Sequence, residues 1–159
     1  MNEIIDSLIT IFTTGFTTIP FTTYFKGKQD AIAEADMPML QVYPKATRQK
    51  RSGTVRDQAE YDIVVEVVIN AKTYWDMSAG QGSQLDVLEK LVDLVEERES
   101  DGDAKAPTVF GILNNNLTAS SKVLYIDNLN VEYSTYLDEG GKKGRATVTF
   151  TAYDRPNRT

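Results

Sequence analysis

Residues 83–100 read SQLDVLEKLVDLVEERES, and this stretch constrains the fold more than any other in the chain. Leu85, Leu88, Leu91, Val92 and Val95 recur at steps of three and four, while Asp86, Glu89, Lys90, Asp93, Glu96 and Glu97 fill most of the gaps. The spacing predicts an amphipathic helix of about four turns with a single apolar stripe. Ser83 stands where an N-cap belongs. Asp86, at the third helical position, suits both a capping-box arrangement and the positive end of the helix dipole. A lone helix of this length is marginal in water, so its stripe needs a partner. The segments with enough apolar surface to cover it are strand-like and lie on both sides of it, which makes a sheet the expected partner.

The clearest strand covers residues 60–71, where Tyr61, Ile63, Val65, Val67 and Ile69 alternate with Asp62, Val64, Glu66, Val68 and Asn70. One of its faces is wholly apolar and the other half polar. In residues 144–153, Ala146, Val148, Phe150 and Ala152 face one way, with Arg145, Thr147, Thr149, Thr151 and Tyr153 facing the other. Residues 122–136 read as its partner strand, joined through a loop at 137–143 whose Gly140-Gly141 pair can take positive φ. Residues 39–43 read as a buried strand stopped by Pro44, and a short strand follows Pro20 as far as Phe25.

At the start, Ile4, Ile5, Leu8, Ile9 and Phe12 share one helical face, with Asn2 as the cap and Gly15 as the interruption. Residues 30–36 fit either one helical turn or an irregular loop, and residues 108–116 either a short helix or a strand. Residues 72–82 read as a loop and residues 100–107 as a turn or mobile loop. This order predicts an α+β fold: a single mixed or antiparallel sheet of about four to five strands, with two amphipathic helices packed on one face. All 159 residues form one domain, with a polar tail at 154–159 and a basic loop or hairpin arm at 45–59. The opposite sheet face, bearing Val64, Val68, Thr147, Thr149 and Thr151, is too apolar for water alone and too polar for a core. Subunit packing or a covering segment is expected there.

Histidine and cysteine are both absent, which removes the commonest general base, thiolate catalysis, disulfides and most transition-metal ligation. Lys plus Arg total 17 against 23 Asp plus Glu, a net charge of -6 that argues against general nucleic-acid binding. No apolar run approaches the ~20 residues of a membrane span, and Glu3 and Asp6 stand where a signal peptide carries basic residues. A soluble, non-secreted chain is expected. Gly80-Gln81-Gly82 lacks the third glycine of a dinucleotide loop and reads as a turn. Asp101-Gly102-Asp103 opens like a calcium loop, but Lys105, Pro107 and Val109 replace the ligands that should follow. No cofactor or metal is expected. Asp93, Glu96 and Glu97 read as a solvated helix face, so the chain is not expected to be an enzyme; a small carboxylate-dependent hydrolase is the alternative from a different class.

Two features point outward. Residues 45–59 carry Lys45, Arg48, Lys50, Arg51 and Arg56 against Asp57. This run is either a solvated segment that keeps an edge strand from mispairing or a docking arm for an acidic partner surface, a neighbouring copy of the same chain or a passing nucleic-acid backbone, the acidic total favouring a protein surface over DNA. Tyr74 and Trp75 are either a core plug at a loop root or an interface anchor, since aromatics lead both lists.

The element order also resembles a known family. NEIIDSLITIF at the start, a short strand followed by MPMLQVYP, the charged insert and the strand YDIVVEVVINAK come first. The acidic helix LDVLEKLVDLVEE, the strand LNVEYSTY, the EGGKKGR loop and the closing ATVTFTAYDR follow. Together they resemble the tail terminator (tail-completion) proteins of long-tailed bacteriophages. The resemblance implies a structural virion protein: a homo-oligomeric ring, commonly a hexamer, that caps the tail tube at its head-proximal end. Such a ring stops tube polymerisation and offers a docking surface to the head connector. Its implied partners are the tail tube protein, the head–tail connector and, in a contractile tail, the sheath, with no membrane contact and DNA only passing through the lumen. The implied location is the tail or neck of the virion, assembled in the host cytoplasm, and a head-completion or neck adaptor role is the close variant. Under this resemblance Arg48, Lys50, Arg51 and Arg56 become candidate contacts, and the hairpin tip with Asp138, Glu139, Lys142 and Lys143 becomes a second.

Overall fold

A computed structural model describes residues 1–17, 21–52, 56–76, 81–96, 107–116, 118–119, 125–139 and 141–154. Among these residues, three helices, α1 (Asn2–Gly15), α2 (Gln84–Val95) and α3 (Val109–Asn115), accompany seven strands. These are β1 (Thr23–Lys26), β2 (Met39–Ser52), β3 (Arg56–Asn70), β4 (Trp75–Asp76), β5 (Gln81–Gly82), β6 (Tyr125–Asp138) and β7 (Gly141–Tyr153). Five strands form one mixed sheet in the order β1-β2-β3-β7-β6, with β1 parallel to β2 and every other pair antiparallel. β4 and β5 pair separately. The fold is α+β with a single mixed main sheet. Among the described residues, no helix is long and apolar enough to cross a membrane.

Alternation puts Leu40, Val42, Ile63, Val65, Val67, Ile69, Ala146, Val148, Phe150 and Ala152 on one face of this sheet. They form one buried core with Ile4, Ile5, Leu8, Ile11 and Phe12 of α1, Val87, Leu91, Leu94 and Val95 of α2, and Val109, Ile112 and Leu113 of α3. Residues 108–116 therefore resolve to a helix, capped by the Thr108 hydroxyl, which accepts from the Gly111 N–H. Ser83 caps α2 as its position predicts, accepting from the Asp86 N–H while its hydroxyl donates to the Asp86 carboxylate. For α1 the N-cap is Met1, without a side-chain bond, and Asn2 is already helical.

The buried stripe of α2 is rotated from the expected one. Val87, Leu91, Leu94 and Val95 face the sheet, whereas Leu85 is exposed and Leu88 and Val92 are half-buried. Both sets have helical spacing, and the sheet decides between them. Gly144 of β7 presents bare backbone beneath α2, and a Cβ built there would lie 2.5 Å from Val87 Cγ1.

Among the described residues, the opposite face is covered at one end. Ile32, Met37, Met39 and Val68 form a second small cluster with Phe25 against it. Residues 27–38 include one 3₁₀ turn, Glu34–Asp36, and are fastened by the Gln29 N–H donating to the buried Gln41 side chain at 2.9 Å and by Asn70 donating to Glu34. This supplies the covering segment expected over Val68.

Candidate functional site

Strand β2 does not stop at Pro44. It continues to Ser52 and returns as β3 from Arg56, so the basic segment is a hairpin arm. Proline is tolerated because β1 leaves β2 after Val42, making Pro44 an edge residue beside a bulge between Pro44 and Ala46, where a missing N–H breaks no ladder. β7 meets β3 from Glu60 onward and the Asp154 N–H donates to the Ala59 carbonyl at 2.9 Å, so among the described residues 50–52 and 56–58 have only one another as strand partners. A second bulge lies in β6 between Asp127 and Asn130, with Asn128 at φ 60, a conformation asparagine tolerates. Both bulges fall at the same height, flanking the Asp62–Thr151 pair.

On the open face at that height, the Arg48 guanidinium donates to both Asp62 oxygens, at 2.5 and 2.7 Å, and its Nε reaches Glu60 at 3.4 Å. The Thr151 hydroxyl donates to Asp62 at 3.1 Å. The Arg48 hydrogen bonds hold the Asp62 carboxyl below its ordinary range against a smaller opposing effect of burial, with Thr151 and the charges of Arg48 and Lys45 assisting. Lys45, Asp62, Asn128, Thr149, Phe150 and Thr151 line a shallow cleft of about 240 Å³ here.

Further along the same face runs a denser charged row. The Tyr43 hydroxyl donates to Glu66 at 2.7 Å, and Arg145 stands 3.7 Å from the other Glu66 oxygen. The Arg145 guanidinium lies 4.7 Å from the centre of the Tyr136 ring, and the Lys28 ammonium 5.8 Å from that of Tyr43. Burial, then the bond to Glu66, pushes the Tyr43 hydroxyl up. Burial also pushes Tyr136 up to about 12, with Asp138 and Glu66 adding to the shift and Arg145 opposing it. Glu66 is nearly enclosed, at 3% exposure, so its pairing matters to the fold.

The hairpin between β6 and β7 is tighter than residues 137–143 suggest: Asp138 already pairs with Gly141 and Leu137 with Lys142. Gly141 takes φ +101 at the turn. Lys143 is therefore corrected. It lies within β7 with its side chain fully buried, ion-paired to Asp138 and near the Tyr136 ring, so it is not a tip residue offered to a partner. Lys142 is half-buried, while Glu139 is exposed at the turn. Tyr74 is half-buried against the main core, at the end of a 3₁₀ turn over Ala71–Thr73, and so serves as a plug at the loop root. Trp75 pairs with Gly82 across β4 and β5, and its side chain lies outside the described residues, as do those of Lys50, Arg51 and Arg56. Their strand positions are fixed: Lys50 opposite Gln58, Arg51 opposite Asp57 and Arg56 opposite Ser52.

Sequence reasoning missed the Tyr43–Glu66–Arg145–Tyr136 row. The signal was present in Glu66, the one charged residue within the apolar run 63–69 of β3. Among the described residues, no three of His, Cys, Asp or Glu gather closely enough to hold a metal. No model of a known protein family matches the chain, and no curated protein matches it either.

Proposed function

We propose that the chain is a structural virion protein, a tail terminator that assembles into a ring, caps the head-proximal end of a bacteriophage tail tube and presents the surface to which the head connector docks. One observation carries the reading. The element order that resembles the tail terminators folds as a single five-stranded sheet with its helices on one face, and it extends a two-stranded basic arm beyond the body of that sheet. The fold leaves chemistry little to work with: Glu66 faces Arg145 and Tyr43, and Glu60 and Asp62 share Arg48. These acids are neutralised by cations instead of being paired with each other, an arrangement suited to structure more than to general acid–base work.

The test adds purified protein to polymerising tail tube protein and follows tube length and end-on images by negative-stain microscopy. Rings seated on tube ends and arrested growth are expected. A chain that binds neither tubes nor connector refutes the proposal, and one that co-purifies with the connector alone is a head-completion adaptor.

A further inference from the structure

The main sheet has two unpaired edges, and they differ in charge. Among the described residues β6 has no strand partner on its outer side, and residues 125–138 contain Asp127, Glu132 and Asp138, the last ion-paired to Lys143, without one Lys or Arg. β2 is an edge from Tyr43 onward, because β1 covers residues 39–42 alone, and that part carries Lys45, Arg48, Lys50 and Arg51 without one Asp or Glu. Lysines on an edge ordinarily keep strands from pairing wrongly. That accounts for β2 but not for its acidic counterpart. A second observation singles out β6. Among the described residues, the exposed large apolar ones are Leu85, Tyr125 and Leu137. Tyr125 and Leu137 belong to β6, and Leu85 lies beside it, since its neighbour Gln84 donates to Thr135 at 2.9 Å. An acidic strand edge with exposed apolar side chains at its two ends, Tyr125 stacked on Tyr153 at one and Leu137 at the other, is a docking surface.

We propose that this edge receives the basic arm of a second copy of the chain, so that β6 of one protomer and β2 of the next join as neighbouring strands and the sheet continues from subunit to subunit. Strand directions agree: β6 runs opposite to β2 within the sheet, so a copy that keeps the sheet's sense meets it antiparallel. Face parity agrees as well. The even-numbered residues 46–52 and 130–138 all lie on the open face, so Glu132 meets Arg48 or Lys50. Within the chain, Arg48 already faces Glu60 and Arg51 faces Asp57, and the joint gives the basic strand an acidic neighbour on its other side. Like edges repel and unlike edges attract, which selects a head-to-tail contact, the type that closes into rings. The proposal rests on the ring reading for closure, not for the joint itself.

The test uses the full chain carrying Glu132→Lys or Lys50→Glu, with self-association followed by light scattering over a concentration series. Each variant alone should weaken association about tenfold, since an opposed pair becomes a like-charged one. An equimolar mixture should restore it, because the altered edge of one attracts the altered arm of the other and the unaltered edge and arm still match. Rescue by mixing is not available to a misfolded variant. Backbone hydrogen exchange in wild-type assemblies should slow at 130–138 and 46–52. Single variants that associate as wild type, mixtures that fail to recover, or assemblies with these segments unprotected overturn the joint and leave the terminator reading standing. Assemblies built through this joint that ignore tail tubes do the reverse.

Discussion

Replacing Gly144 with alanine tests the contact that orients α2. Gly144 occupies regular strand geometry in β7, so the relevant quantity is space. The added methyl would sit 2.5 Å from Val87 Cγ1 and 3.2 Å from both Ile69 Cγ1 and Leu91 Cδ1. The first distance is impossible, and Val87 cannot swing aside because a β-branched side chain in a helix has essentially one rotamer. The helix must lift or the sheet must give, an overpacking cost of about 1–3 kcal/mol. Alanine recovers about 0.7 kcal/mol by restricting the unfolded chain. The net loss is then about 1.5 kcal/mol, which lowers Tm by about 3–6 °C for a chain of this size. Thermal and urea unfolding followed by circular dichroism measure it. Val87→Ala alone should cost about 2 kcal/mol through lost burial. In the double variant the new methyl fills the vacated space, so the two costs should fall short of additivity by about 1 kcal/mol. A Gly144→Ala protein as stable as wild type, or strictly additive losses, would refute the claim that Gly144 sets the rotation of α2.

Three further outcomes follow from the open face. Glu66→Ala strands the Tyr43 hydroxyl and removes the partner of Arg145, and should cost about 2 kcal/mol in urea unfolding; Tyr43→Phe should cost less, since it removes the donor along with its need. Tyr43 and Tyr136 have folded-state values above the unfolded value of 10.0, so the stability they confer is complete below pH 10 and drains away as pH rises toward 12 and beyond. An ultraviolet titration should show late, cooperative tyrosine ionisation that moves earlier in Glu66→Ala. Asp62 has the opposite sign: its carboxyl is held below 3.8, so its contribution is present above pH 4 and lost as pH falls through the folded value. Asp62→Asn should therefore narrow the stability difference between pH 7 and pH 3, and an unchanged acid limb would show the Arg48 pair to be idle.

The sequence exposed the sheet and its helices because alternation and three-four spacing report burial directly, and burial holds this fold together. Residues 60–71 and 144–153 land in register opposite one another. What misled was choice among equivalent patterns. Two stripes on α2 have helical spacing, and the selection between them is made by Gly144, some fifty residues downstream. Pro44 reads as a terminator in isolation, yet the absence of a strand beyond Val42 on that side makes it harmless, a property of sheet order that one strand's sequence does not contain. Lys143 reads as a loop residue because two glycines and two lysines look like a tip. The turn closes at Asp138 and Gly141 instead, which draws Lys143 into the strand. The basic arm was legible as charge, and as structure only as one of two alternatives, a loop or a hairpin arm, since its strands pair with little besides each other.

The locus of any association follows from which groups the chain has already satisfied. On the open face, Glu66 has Tyr43 and Arg145, Asp62 has Arg48 and Thr151, Lys143 has Asp138, and the apolar end at Val68 lies beneath residues 27–38. A partner laid on that face would have to compete with these contacts and desolvate charges that are already paired, which returns little free energy. The strand edges differ in kind. Their outward backbone donors and acceptors have no strand partner among the described residues, and joining two edges would supply one. Of the two expectations for the half-polar face, subunit packing or a covering segment, the covering segment is met over Val68 by residues 27–38, and the proposed joint would put subunit packing at the rims of the sheet, where the basic edge of β2 and the acidic edge of β6 lie.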